Sequence, residues 1–470
     1  MSRWPDISKL TEEQKDKLLL KCFDAIDRLE ERVKKLEDQI AKDSNNSSKP
    51  PSSDNAPRTK SQRKPSGKKP GGQKGHKGQS LEMTSTPDHR EIHEVNMCDN
   101  CEASLEQEIA HSHERRQVFD LPKLSIEVTE HLIEIKECPH CREDCMGQFP
   151  ENVTAPVQYG KRIKALSVYL NQYQLLPLQR LSEFFEDVLD QRISEASLLT
   201  FKNELYDSLQ SFENEIKERL IQSDIAHFDE TGHRVKGKRQ WLHSVGTQHL
   251  TFYASHKKRG AEAMEDIGIL PLFEGRAMHD YWSSYYKFDC DHGLCNSHHF
   301  RDLTFLEERH HQTWAKSMKK LLTDIYEAVN TSKERGHQKL SSKNIKKFVR
   351  RYKNIVTRGF NRQPPVIKTG KRGKTKKGIV INFLERLRDR KNEVLAFMYD
   401  FNVPFTNNLA ERDIRMVKVQ QKISGTFRTQ KGADIFCRIR GYISTCRKNA
   451  VNVMMAIENA FNNQAFLLRS

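Results

Sequence analysis

Between residues 11 and 42, Leu19, Cys22, Ile26, Leu29, Val33, Leu36 and Ile40 recur at alternating intervals of three and four. That is the a/d seam of a heptad repeat, so the segment reads as a short coiled-coil helix, flanked by the mixed charges of DRLEERVKKLED. Self-association is the natural consequence; an amphipathic helix packed on its own protein is the alternative. Residues 160 to 220 also read as helical. There a helix through Leu181, Phe184, Phe185 and Leu189 is followed by a tight turn near Gln191 to Ile193 and a second helix from Ser194. The outline is helix-turn-helix-like, and it serves either DNA reading or plain packing.

From residue 221 the period shortens. SDIAHFDETG, QWLHSVGTQ and LTFYASHKK read as three strands, GAEAMEDIG as a helix, and GRAMHDYWSSYYKF as a further strand ending in an acid. This order opens a ribonuclease-H-like α/β fold. Residues at the ends of neighbouring strands converge on one sheet edge, which would bring Asp229 and Asp280 together. Further along, QTWAKSMKKLLTDIYEAVN and VINFLERLRDRKNEVLAFMYDF look helical, separated by the basic run KTGKRGKTKKG that contains Lys371 and Arg372.

Length turns these patterns into a layout. A chain of 470 residues exceeds one ordinary core, so several domains are expected. They are a coiled-coil helix at 1–43, a basic flexible linker at 44–88, a zinc-binding domain at 89–150 and a helical, helix-turn-helix-like domain at 151–218. An α/β catalytic domain follows at 219–455, with a helical insertion at about 305–400, and then a C-terminal tail at 456–470. The linker, rich in Pro, Gly, Ser and Lys, cannot bury a core.

Charge narrows the partners. With 79 Lys and Arg against 63 Asp and Glu the formal net charge is +16, which favours nucleic acid over an acidic small molecule. No apolar run approaches the ~20 residues of a membrane span, and MSRWPDISKL has no signal-peptide apolar region. The expected location is therefore the cytoplasm, with no membrane partner. Four of the ten cysteines form the pairs CDNC and CPHC. Two such pairs can present four thiolates to one tetrahedral zinc ion, so Cys98, Cys101, Cys138 and Cys141 are the expected ligands, with Cys145 and His140 as rivals. The intervening RRQVFDLPKLSIEVTEHLIEIKEC alternates like a β-ribbon.

Carboxylates at neighbouring strand ends can share hard divalent cations, and a third is normally wanted. FTNNLAERDIRMVKVQQKISGTFRT offers Glu411 in the first turn of a helix expected to be capped by Asn408. Arg415, Lys418 and Lys422 follow near the same face as cations for a DNA backbone, while Met416, Val419 and Ile423 mark an apolar face. Glu411 equally suits capping or a pair with Arg415, and Glu230, Asp289, Asp291 and Asp413 compete as ligands.

These blocks, HFDETGHRVKGKRQWLHSVGT, the run from HKKRGAEAMEDIG to HFRDLTFL, and YDFNVPFTNNLAERDIRMVKV onward, resemble the insertion-sequence-66 family of transposases. NSSKPPSSD, the paired cysteine knuckles and APVQYGKRIKALSVYLNQYQLLPLQRLSE resemble it too, so the likeness runs in order along nearly the whole chain. The resemblance implies a DDE-type, Mg²⁺- or Mn²⁺-dependent enzyme that exposes and joins DNA ends, with Asp229, Asp280 and Glu411 as metal ligands and Zn²⁺ at the knuckles. It also implies DNA as partner, a bacterial, nucleoid-associated setting, and small accessory proteins of the same element. On this reading the interval between Asp280 and Glu411 holds an insertion. The family's CxxH feature is similar to CNSH here, which singles out Cys295 and His298 without fixing their role. The chain departs from the family in HFRDLTF, where a more apolar run is usual, and in CDNC, which lacks the usual Pro-His interior; neither change removes an expected ligand. An inactive zinc-containing DNA-binding scaffold and a nuclease without strand transfer are the alternatives.

Overall fold

A computed structural model describes residues 10–42, 81–365 and 377–466. The expected linker lies almost wholly outside the described residues, and so do Lys371 and Arg372. Helix α1, Glu12–Ala41, starts on a capping box in which Thr11 accepts from the Gln14 amide and Gln14 accepts from the Thr11 amide. Its seam faces solvent: Leu29 is 60% exposed, and no residue of the helix is buried.

Residues 81–152 bury no side chain. Strands β1 (Ile135–Glu137) and β2 (Asp144–Met146) pair as a short antiparallel hairpin around the second cysteine pair. The rest of the expected ribbon is unpaired. A strand needs a ladder partner, and the alternating Val118, Leu121, Val128 and Leu132 find none, remaining over four-fifths exposed.

The helical region follows its local signals closely. After α2 (Lys161–Val168) and a π-helical turn, α3 (Leu178–Leu189) ends on Asp190 in the left-handed conformation. Ser194 then caps α4 (Glu195–Ser208) by accepting from the Ser197 amide. Helix α5 (Gln210–Ile221) leads into the sheet.

Five strands build that sheet: β3 (Ile225–Val235), β4 (Lys238–Gly246), β5 (Thr251–His256), β6 (Arg276–His279) and β7 (Asp291–Leu294), with α6 (Ala261–Ile267) between β5 and β6. Their order is β5-β4-β3-β6-β7. The first three pair antiparallel, whereas β6 runs parallel to β3 and β7 parallel to β6. A Cβ at Gly275 would strike the carbonyl oxygens of Ser223 and Asp224, so glycine is required where the chain enters β6 beside β3. The strand expected from GRAMHDYWSSYYKF stops at His279; Tyr285–Lys287 is instead a 3-10 turn that buries Tyr285.

Helices α7 (Asn296–His310), α8 (Thr313–Glu334), α9 (Ser342–Asn361), α10 (Ile379–Asp389), α11 (Lys391–Val394) and α12 (Ala396–Tyr399) form the insertion, whose core reaches Met278 and Leu294 of the sheet. The chain returns through α13 (Asn408–Ser424), α14 (Gln430–Lys448) and α15 (Val453–Phe461). Ala226, Phe228 and Ala277 pack with α2 to α5, α14 and α15 in a second core. Helix α15 runs across residue 456, where the expected tail begins, and supplies Ile457 and Ala460 to that core. The result is a multidomain α/β architecture with a mixed sheet and helices in both cores.

Candidate active site

Strand alternation decides which side chains meet. With Ala226 and Phe228 turned into the core of α2 to α5, Ile225, His227 and Asp229 take the opposite face of β3. The parallel register pairs Ile225 with Arg276 and His227 with Met278. Continued by two residues on each strand, it sets Asp229 beside Asp280. Asp229 does not close β3, as its sequence position suggested; the hairpin with β4 carries the strand on to Val235, and only the pairing with β6 ends before the acid.

The Asp229 carboxyl lies well above the ordinary carboxylate range because of burial, with Glu230, Asp280 and Glu411 pushing the same way. Its Oδ1 accepts the Glu230 amide at 2.8 Å, and Asp280 Oδ1 accepts the Trp282 amide at 3.2 Å. Directly after Asp280, Tyr281 stands at φ 77°, in the left-handed region. This turns the chain sharply off the end of β6, and the Arg386 guanidinium of α10 lies 4.2 Å from the Tyr281 ring.

Three rival acids have cations of their own. Glu230 accepts Arg259 Nε at 2.8 Å and Nη2 at 2.6 Å, and Tyr285 donates to it at 2.6 Å. Arg259 is itself stacked between Trp241 and Trp282. Asp291 pairs with Arg276, and Asp413 with Lys448 at 2.7 Å; Asp289 is exposed.

Glu411 sits in the first turn of α13, whose N-cap is Asn407, one residue before the expected Asn408. The Asn407 side chain makes no capping bond. Instead its Nδ2 donates to the Phe228 carbonyl at 2.9 Å and its Oδ1 meets His227 Nδ1 at 2.7 Å. Burial keeps His227 neutral, lowering its pKa to about 4. The buried Asn407 thus ties the helix bearing Glu411 to the strand bearing Asp229, a role that no local signal announces. The fully buried face of α13 is Ala410, Ile414 and Val417; Met416 and Val419 pack half-buried against the core beside Val417, whereas Ile423 is exposed.

Of the expected DNA contacts in the described residues, Arg415 and Lys422 are exposed, whereas Lys418 donates to the Gly232 carbonyl at 2.5 Å. Cys295, at the N-cap position of α7, accepts the Asn407 amide at 3.1 Å, and His298 Nδ1 lies 3.8 Å from Glu411 Oε1. Sγ of Cys295, a His298 nitrogen and a Glu411 oxygen all fall within 4.8 Å of one another.

The two cysteine pairs adopt the same turn. Cys98 N donates to Ala103 O and Glu102 N to Cys98 O, while Cys138 N donates to Glu143 O and Arg142 N to Cys138 O. Glu102 and Arg142 both take positive φ, 58° and 62°. Cys98 is lowered by the Asn100 and Cys101 amides, and Cys138 by those of Cys141 and His140. No group of three or more close ligand atoms among the described residues includes these four thiols. Cys145 lies on β2 opposite Lys136.

A mixed sheet followed by a helical insertion, with Asp229 on β3, Asp280 just past β6 and Glu411 on the returning helix, defines the class of α/β protein to which the chain conforms. The model of the Transposase IS66 family matches residues 156–435, more than half of the chain, and the chain belongs to that family. A second model, for a family of unknown function (DUF6444), matches residues 4–82. No curated protein matches. Membership brings transposition of a mobile element and DNA as the partner. No helix among the described residues is long and apolar enough to cross a membrane.

Proposed function

We propose that the chain is a DDE-type transposase whose ribonuclease-H-like core cleaves and joins DNA at the ends of an insertion sequence. The observation that carries this is that Asp280 and Glu411 both act on the buried Asp229 carboxyl, while Glu230, Asp291 and Asp413 are each neutralised by a neighbouring cation. Three antiparallel strands followed by two parallel ones, in the order β5-β4-β3-β6-β7, support the fold reading. So does the helical insertion between the second and third acids.

The donor set fits hard divalent ions: it is all oxygen, and burial, aided by repulsion from the neighbouring carboxylates, raises Asp229 in a way that a cation would relieve. Bound there, Mg²⁺ or Mn²⁺ would activate a water or DNA hydroxyl and stabilise the leaving oxygen. The protein's own residues do the rest. Asp229 must release its proton before it can act as a ligand, since burial and its neighbours favour the protonated form. Asn407 fixes the distance between β3 and Glu411, and Trp282 N–H orients Asp280. Arg415 and Lys422, exposed on the helix that bears Glu411, would meet backbone phosphates. Cys98, Cys101, Cys138 and Cys141 would share one zinc ion, supported by their two matching turns, and α1 would pair with a second copy through its exposed seam.

The test is an assay with element-end DNA and Mg²⁺. Asp229→Ala should lower cleavage and joining on the order of 10²-fold or more while leaving the thermal transition in place. Joining at the wild-type rate by that variant would remove Asp229 from the site. Cleavage without joining by the wild type would leave a nuclease.

A further inference from the structure

The cysteine and histidine of CNSH are not absorbed by the oxygen-only site, yet the fold delivers them to its rim. Cys295 is the N-cap of α7 and His298 lies in the first turn of that helix, while Glu411 arrives from the first turn of α13. Their ligand atoms lie within 4.8 Å of one another. Around a tetrahedral zinc ion, bonds of about 2.0 Å to nitrogen and 2.3 Å to sulfur put ligand atoms about 3.5 Å apart. Closing the difference takes only small side-chain shifts.

Two further observations point to a missing cation. His298 Nδ1 and Glu411 Oε1 face each other at 3.8 Å, within ion-pair reach but too far for a hydrogen bond, and both atoms are shut off from solvent with no hydrogen-bond partner. Buried polar atoms without partners are costly, so they mark a place where something binds. The third is the sulfur. Cys295 is 1% exposed, which removes it from nucleophilic chemistry, and its Sγ, which accepts the Asn407 amide, is held in place beside the first turn of α13. On the far side of Glu411, Arg301 Nη2 stands 4.0 Å from Oε2, leaving Oε1 as the oxygen turned toward His298.

We propose that Cys295, His298 and Glu411 form a binding site for a thiophilic divalent ion, zinc foremost, with water completing its coordination. Magnesium would not choose this set, because a thiolate and an imidazole are poor ligands for a hard ion. The consequence rests on the reading of Glu411 as a ligand of the oxygen-only site: one carboxylate then serves two sites, and zinc at the mixed set competes with Mg²⁺ for it. The end of β7, the first turn of α7 and the first turn of α13 would be held in register by the ion.

The experiment reads metal binding and needs no DNA, so it stands or falls separately from the transposase assignment. Co²⁺ is titrated into the full-length chain bearing Cys98→Ser, Cys101→Ser, Cys138→Ser and Cys141→Ser, which silences the knuckles in a region that buries no side chain. A tight Co²⁺ site with a sulfur-to-metal charge-transfer band is expected, displaced by equimolar Zn²⁺ and not by equimolar Mg²⁺. Adding Cys295→Ser should abolish the band. Adding His298→Ala, at a partly exposed position, should weaken binding by about 10-fold or more while the thermal transition persists. Absence of the band from the knuckle-silenced chain, or its survival in Cys295→Ser, overturns the proposal.

Discussion

Residues 81–152 and the body that follows start from comparable local signals and end differently. Both carry clear turn and period information. The knuckle arm forms its two matching cysteine turns and a three-residue hairpin, then leaves Val118, Leu121, Val128 and Leu132 in solvent. In the body, equally local signals, such as the Asp190 stop and the Ser194 cap, deliver helices whose apolar faces close on the sheet. What separates the two regions is long-range closure. A turn forms from its own few residues, whereas burial needs an opposing surface, and only the body supplies one.

The contrast is sharpest at Phe185. It is fully buried among α3, α4 and the neighbouring helices, so Phe185→Ala should cost about 3–5 kcal/mol of stability in denaturant unfolding. A loss near zero would mean that the helical region does not share the body's core.

Within the body, the next largest effect tests the tie between strand and helix. Asn407→Ala removes the bonds to the Phe228 carbonyl and to His227 and leaves both buried groups without those partners. A cost of about 1–3 kcal/mol is expected. Because Asn407 positions Glu411 and touches no reacting atom, Mg²⁺-dependent cleavage should also demand more Mg²⁺ for half-maximal rate. An unchanged Mg²⁺ requirement, with the stability loss present, would reduce Asn407 to a structural residue.

This residue also marks where sequence reading stops. Helix boundaries around Asp190 and Ser194 were legible because their causes lie within a few residues. The strands from β3 to β6 were legible because alternation and turns are local as well. Asn407 was not, since its partners stand 179 and 180 positions away, and an asparagine before a helix reads as an ordinary cap. The position of Asp229 within β3 was missed for a related reason: the hairpin with β4 and the parallel pairing with β6 end at different places, and only the sheet reveals which one governs the acid. The approach of His298 to Glu411 likewise joins two helix starts separated by the whole insertion. The alternation in the arm, by contrast, was legible and misleading, because a period of two records the capacity to pair and not the presence of a partner.

Val128 carries the smallest expected effect and the most direct test of that last point. It is 87% exposed, with no strand beside it. Val128→Ala should therefore change the stability of the isolated chain by no more than about 0.5 kcal/mol, an order below Phe185→Ala. If the loss instead reaches about 1 kcal/mol or more, Val128 is packed in solution. Repeating the measurement across protein concentration then tells where: a loss that grows with concentration places the alternating face against a second copy, and a constant loss places it against the chain's own body. Either result would give the arm the opposing surface that distinguishes the body from it.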